Sequence, residues 1–253
     1  MTRSLRILTL AAALAATPAY AQNGHSSQPS VPDAPFDPGE RLEYSVGYGP
    51  LPAGTMAIRV AELTRFDGRP AYHFVFEAET NRAVSMVYEL DTREESWFDA
   101  VRFHSLRYTK RAMEEGKERT RDYRFDQQDQ RIVKANGETE PASPRAVDQV
   151  AFMYYIRLLP LKPGAKFVLN NAADPDDNPV TVRVLKKERV KVPSGTYETL
   201  VLDLDVRSDS GVFKKGGENR VWVTADERKI PVKISSKIGL GAFQAELVDL
   251  DES

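Results

Sequence analysis

Apolar residues recur at every second position along most of this chain, and only once does their spacing widen to that of a helix. Leu42, Tyr44, Val46 and Tyr48 alternate with polar or small residues, and so do Met56, Ile58 and Val60. That period of two predicts half-buried strands. Asp67-Gly68 predicts a tight hairpin turn into Tyr72, Phe74, Phe76 and Ala78. Met86, Tyr88 and Leu90 predict a further strand, followed by strands from Trp97, from Phe103 to Tyr108, from Tyr123 to Phe125, and at Ile132-Val133. Asn136-Gly137 turns the chain. Beyond residue 162, the same alternation runs through Phe167–Leu169, Val180–Val184, Val190–Val192, Leu200–Val206, Val221–Val223, Ile230–Ile234 and Phe243–Val248. Pro193-Ser194-Gly195 has the residue types of a bulged turn between two of these strands.

The exception is Ser143–Pro160. Val147, Val150, Ala151, Tyr154 and Leu158 form one apolar stripe at helical spacing. Ser143 suits the N-cap and Pro144 the first turn, while Asp148 and Arg157 complement the dipole and Pro160 ends the run. The spacing predicts one helix at about 144–159. Phe152, Met153, Tyr155 and Ile156 add apolar mass on its other faces, so the helix should be covered on most sides. The fold class expected is therefore mainly β, with one strongly curved antiparallel sheet, a half-open or spiral barrel, wrapped around that single helix. Strands numbering about ten or more force such a sheet to curl. The flanks, 39–137 and 162–250, share a pattern: a long hairpin, then one led by tryptophan (Trp97, Trp222). They are two pattern-related halves.

Composition changes the picture mainly through the compartment it implies. Residues 1–21 have Arg3 and Arg6, an apolar run from Ile7 to Ala16, and Ala19-Tyr20-Ala21, the layout of a secretory signal cleaved after Ala21. The expected location is the periplasm, with no stable transmembrane anchor after cleavage. Residues 22–38, rich in Ser and Pro, read as a flexible leader, and 39–253 as one β domain. The 253 residues are 41% apolar and 28% charged with net charge −2, ordinary for a globular protein. There is no basic excess to hold nucleic acid. With no cysteine, thiol catalysis, zinc–thiolate sites and iron–sulfur clusters are excluded.

Candidate chemistry is sparse. His25, His73 and His104 form no pair at metal-ligand spacing. No Gly-x-Ser-x-Gly elbow or phosphate loop occurs. Asp174-Pro175-Asp176-Asp177-Asn178 lacks the glycine and glutamate of a calcium loop, since Pro179 and Leu185 stand at those positions. The mixed charges of Lys110–Arg121 read as a solvated hairpin end. No catalytic residue, metal ligand or cofactor is assigned. The candidates to line an interior are Met86, Trp97, Phe103, Phe152, Tyr154, Tyr155 and Trp222, with plain core packing as the competing role for each.

Four segments together resemble a known family of exported bacterial proteins, domain of unknown function 3108. They are Pro38–Tyr44, Tyr154–Leu161, Val192–Glu198 and Ile230–Ile234. The resemblance implies an envelope protein without an assigned activity. Val221–Val223, a charged turn and Ile230–Ile234 are also similar to a hairpin of periplasmic lipoprotein carriers, half-open barrels that enclose acyl chains. The reading is a non-catalytic envelope protein that binds an apolar or lipid-like ligand, or a protein partner, on the concave face. A packed interaction module using an edge strand is the alternative, and an envelope hydrolase the third.

Overall fold

The computed structural model describes residues 31–208, 212–238 and 241–251. Residues 1–21, expected to be a signal, most of the expected leader and His25 lie outside them. Strands β1 (Arg41–Tyr48), β2 (Leu51–Phe66), β3 (Arg69–Thr80), β4 (Leu90–Asp99), β5 (Ser105–Glu114), β6 (Lys117–Asp126), β7 (Arg131–Lys134) and β8 (Thr139–Pro141) form one antiparallel meander. Strands β9 (Lys166–Leu169), β10 (Val180–Val192), β11 (Gly195–Asp205), β12 (Glu218–Thr224), β13 (Pro231–Ile238) and β14 (Gly241–Asp251) form a second. Pairing of β1 with β14, from Arg41 opposite Asp251 to Tyr48 opposite Phe243, joins them into one 14-stranded sheet. The sheet is curved but not closed. β8 and β9 end it and do not pair; a single parallel bridge, Val147 to Ala172, spans the seam between them.

The alternation predicts the strands because one face is buried. Leu42, Tyr44, Ile58, Val60, Phe74, Val182, Leu202, Val221, Val223 and Leu247 all turn inward and are buried. Asp67 and Gly68 both adopt positive φ, the conformation a two-residue hairpin turn requires. The chain between β8 and β9 carries the predicted helix, α2 (Gln149–Leu158), into the hollow of the sheet. Val150, Ala151 and Tyr154 pack into one core with Phe36, Phe74 and Phe98, while Ile156 belongs to a second with Tyr44, Val182 and Leu202. The helix thus lies between a core of the first meander and a core that joins β1 and β2 to the second.

Three expectations are corrected. First, α2 starts five residues later than Pro144. Asp148 is its N-cap, accepting from the backbone N–H groups of Val150 and Ala151 at 2.9 and 3.0 Å. Ser143 instead accepts from Asn178 Nδ2 at 2.8 Å, and Arg145 sits at φ +53° in the turn that follows. Second, Met86 and Tyr88 are not strand residues. Asn81 caps a one-turn helix, α1 (Arg82–Ser85), and Met86 closes it, so the next strand begins only at Leu90. Third, the end of the leader is anchored. Phe36 is buried edge-on against Tyr72, Phe74 and Tyr154, and Pro35 accepts a bond from Arg157 at 2.7 Å.

Antiparallel order places the β1–β2, β3–β4, β5–β6, β9–β10, β11–β12 and β13–β14 connections at one end of the sheet. At the other end, α2 meets the β12–β13 turn. Lys229 Nζ donates to the carbonyls of Arg157 and Leu159, each at 2.8 Å. The first end is left open.

Candidate functional site

Between α2 and the concave face lies a cavity of about 1280 Å³ that reaches the open end. It is larger than the roughly 300–1,000 Å³ of pockets built for small molecules. Its lining divides by strand. Val46, Met56, Phe76, Ile234 and Phe243 of β1, β2, β3, β13 and β14, together with Phe152 and Met153 of α2, make an apolar wall. Strands β4, β5 and β6 supply the other wall, with Thr92, Glu94, Tyr108, Lys110, Glu114 and Arg121.

The polar wall is organised around the N-terminus of α2. Glu94 is buried and accepts from Tyr108 Oη at 2.8 Å and from Gln149 Nε2, while Lys110 Nζ stands 3.7 Å from its other oxygen. Burial first, and then the neighbouring Glu94 charge, pushes the Tyr108 phenol far above its ordinary range, so it stays a donor. Lys110 also donates to Glu114 at 2.7 Å and holds that carboxyl below its usual value. One layer deeper, Asp148 Oδ2 accepts from Ser96 Oγ at 2.6 Å and Ser105 Oγ at 2.5 Å. Ser105 Oγ accepts in turn from the Asp148 N–H at 2.8 Å. Burial raises the Asp148 carboxyl despite these donors. Glu94, Glu114 and Asp148 each already have a donor, so the arrangement orients groups and satisfies polar atoms.

Of the seven residues singled out in the sequence, Phe152 borders this cavity. Tyr154 is buried in the core, stacked on Phe74 at 3.9 Å, and Tyr155 packs against the same core. Phe103 sits at φ +55° in the β4–β5 turn, 6.3 Å from Phe98. Trp97 faces outward, stacked on His73 at 4.5 Å with Arg107 over its ring. Trp222 lies between buried Val221 and Val223 and so points to the opposite face, where Lys233 covers it. Met86 is 80% exposed at the rim. Neither described histidine borders the cavity: His73 bonds Glu95 at 2.7 Å, and His104 is buried beside Asp99, where burial lowers its basicity. Lys110, Glu114 and Arg121, read as part of a solvated hairpin, alternate inward with Tyr108 and Ala112 and line the polar wall. The alternation itself carried that signal, masked by the mixture of charges.

The family described as "Protein of unknown function (DUF3108)" matches residues 43–248. The chain belongs to this family. Among solved structures, the family member is similar to a beta-barrel-like protein of domain of unknown function DUF1849 from Brucella abortus. That likeness has a TM-score of 0.54 and 13% identity over 84% of this chain and 97% of that one, and it supports the fold alone. A Bacteroides fragilis protein with a YmcC-like fold, provisionally described as exported, matches with a TM-score of 0.34 and 11% identity over 87% of this chain and 98% of that one. None of the curated proteins matches the chain. Among the described residues, no helix is long and apolar enough to cross a membrane, and no group of three or more acidic or histidine side chains is placed to hold a metal ion.

Proposed function

We propose that this DUF3108 member is a non-catalytic, exported envelope protein that takes an apolar or lipid-like ligand into the cavity beside α2. The supporting observation is the cavity itself, about 1280 Å³ with one wall apolar and the other polar. An amphiphile lies in such a space with its hydrocarbon against Phe76, Phe152 and Phe243 and its polar group toward Lys110 and Tyr108. Burying about fifteen methylenes contributes on the order of 12 kcal/mol. Association costs roughly 4–15 kcal/mol, so a preformed cavity is what makes the balance favourable. The periplasmic assignment rests on the signal pattern of residues 1–21.

Delipidated protein is expected to take up a fluorescent fatty acid or phospholipid with saturable kinetics. Ala78→Trp, which fills part of the apolar lobe, should cut that uptake about tenfold while leaving the thermal transition in place. Absence of uptake by the wild type overturns the reading. The second reading, partner binding through a sheet edge, draws on the unpaired outer side of β9, where Val168 is half exposed. A partner recovered from envelope extract and released by Val168→Lys would favour it.

A further inference from the structure

The rim of the cavity is itself divided. On the apolar side, three connections meet at the mouth. The β1–β2 turn presents Tyr48 and Leu51, 57% and 64% exposed, and the α1 segment presents Met86 and Val87, 80% and 90% exposed. The β11–β12 loop brings Val212 and Phe213 to the cavity edge. The first two of these connections are tied to each other and to the start of β14. Asn81 N–H and Nδ2 donate to the carbonyls of Ala53 and Pro52, and Gly49 N–H donates to that of Ala242. No packed core accounts for side chains this exposed, and a soluble protein rarely gathers them in one place without a partner.

Charge separates the two sides of the mouth. By sequence, segments 47–54, 81–89 and 206–217 carry four cations, Arg82, Arg207, Lys214 and Lys215, against two carboxylates, Glu89 and Asp209. Around the opposite side, the β5–β6, β7–β8 and β9–β10 connections carry Glu115, Glu138, Asp174, Asp176 and Asp177, with Glu114 at the end of β5. One half of the rim is thus apolar with a basic fringe, and the other half is acidic.

We infer that the apolar half of the rim docks on the surface of an anionic phospholipid bilayer, with Leu51, Met86 and Val87 entering the headgroup–acyl boundary and Arg82 and Lys215 meeting lipid phosphates. The occupant follows from charge and shape. Side chains on protruding turns suit a soft interface, cations beside them suit an anionic one, and the acidic half of the rim is repelled, which tilts the mouth toward the lipid. The most exposed apolar side chains, Leu51, Met86 and Val87, are aliphatic tips on two protruding connections and do not match the aromatic and arginine anchors typical of a protein hot spot. Leu51, Arg82, Met86, Val87 and Lys215 do not line the interior cavity, so the docking stands whether or not a ligand binds inside.

The test is flotation of the mature chain with vesicles of phosphatidylcholine alone and of phosphatidylcholine with an equal part of phosphatidylglycerol. The wild type is expected to float with the mixed vesicles, and raising the salt should release it. The triple variant Leu51→Ser, Met86→Ser, Val87→Ser changes only exposed side chains and should bind roughly tenfold or more weakly. Arg82→Glu with Lys215→Glu should abolish the preference for the anionic vesicles. Both variants should keep the wild-type thermal transition and its uptake of a fluorescent fatty acid from solution, which separates failure of the rim from failure of the cavity. Wild-type protein that floats with neither vesicle, or a triple serine variant that floats as well as the wild type, overturns the inference. Recovery of a protein partner by a chain that ignores both vesicles overturns it as well.

Discussion

The two ends of α2 are fixed by opposite means. At the C-terminal end, Arg157 is buried and makes a two-bond pair with Glu40, at 2.6 and 2.8 Å. Its remaining donors reach the carbonyls of Pro35 and Arg228. Its guanidinium also lies over the rings of Phe36 and Tyr154. At the N-terminal end, Asp148 is equally buried but meets no cation; two serine hydroxyls and two backbone N–H groups surround it. Both arrangements suit the helix dipole. The ion pair ties together the leader, β1, the helix and the β12–β13 turn, which are far apart in sequence. The carboxyl with its hydroxyls forms the floor of the polar wall. One end is a sealed structural joint, and the other borders the space where a ligand would lie.

Breaking the joint should have the largest effect. Arg157→Ala leaves the Glu40 carboxylate buried and unpaired, and is expected to cost about 3–5 kcal/mol in urea unfolding. The double variant Arg157→Met, Glu40→Gln should recover much of that loss. If it is no more stable than Arg157→Ala, the pair is not the source of the cost. At the other end, Asp148→Ala removes the cap and strands two buried hydroxyls, for an expected loss of about 2 kcal/mol. Asp148→Asn keeps an acceptor for the Val150 and Ala151 N–H groups and should cost less than half as much. Equal losses in the two variants would show that the charge, and not the cap, matters there.

The contrast also has a pH signature. Because burial raises the Asp148 carboxyl, the folded protein binds that proton more tightly than the unfolded chain. The stability this contributes is full below the ordinary carboxylate range and is lost as pH rises from there through the raised folded value. The stability difference between wild type and Asp148→Asn should therefore move against the wild type over that interval and then level off. A flat difference would contradict the assigned shift. The smallest effect expected is that of Lys229→Met. It removes two bonds to the last carbonyls of α2 and should lower stability by about 1 kcal/mol, read as a small fall in the urea midpoint.

What the sequence disclosed follows from the range of the forces involved. Strands were legible because a period of two is local, and Val221-Trp222-Val223 shows how far it reaches. Buried valines at 221 and 223 put Trp222 on the outer face, so parity alone could have removed it from the candidates for the interior. Trp97 leaves by the same reasoning, since it pairs with outward His73 while Ser96 and Phe98 are buried. The start of α2 was not legible. Asp148 outcompetes Ser143 as the cap because Ser96 and Ser105 meet it across the fold, and no local pattern shows that. Phe36 was lost in a Ser/Pro-rich leader, although the rings that receive it are strand residues with clear alternation. Glu94 had no local mark at all. Its partners Tyr108 and Gln149 come from another strand and from the helix.

Placing β1 beside β14 has a kinetic consequence. The middle of the sheet is made by the first and last of the described strands, Arg41 lying opposite Asp251. Each meander can assemble from neighbours, but the seam that unites them has to wait for the last strand to be delivered, and ring-closure entropy makes such distant contacts slow to form. Until β14 arrives, such a chain has two half-sheets with nothing to join them.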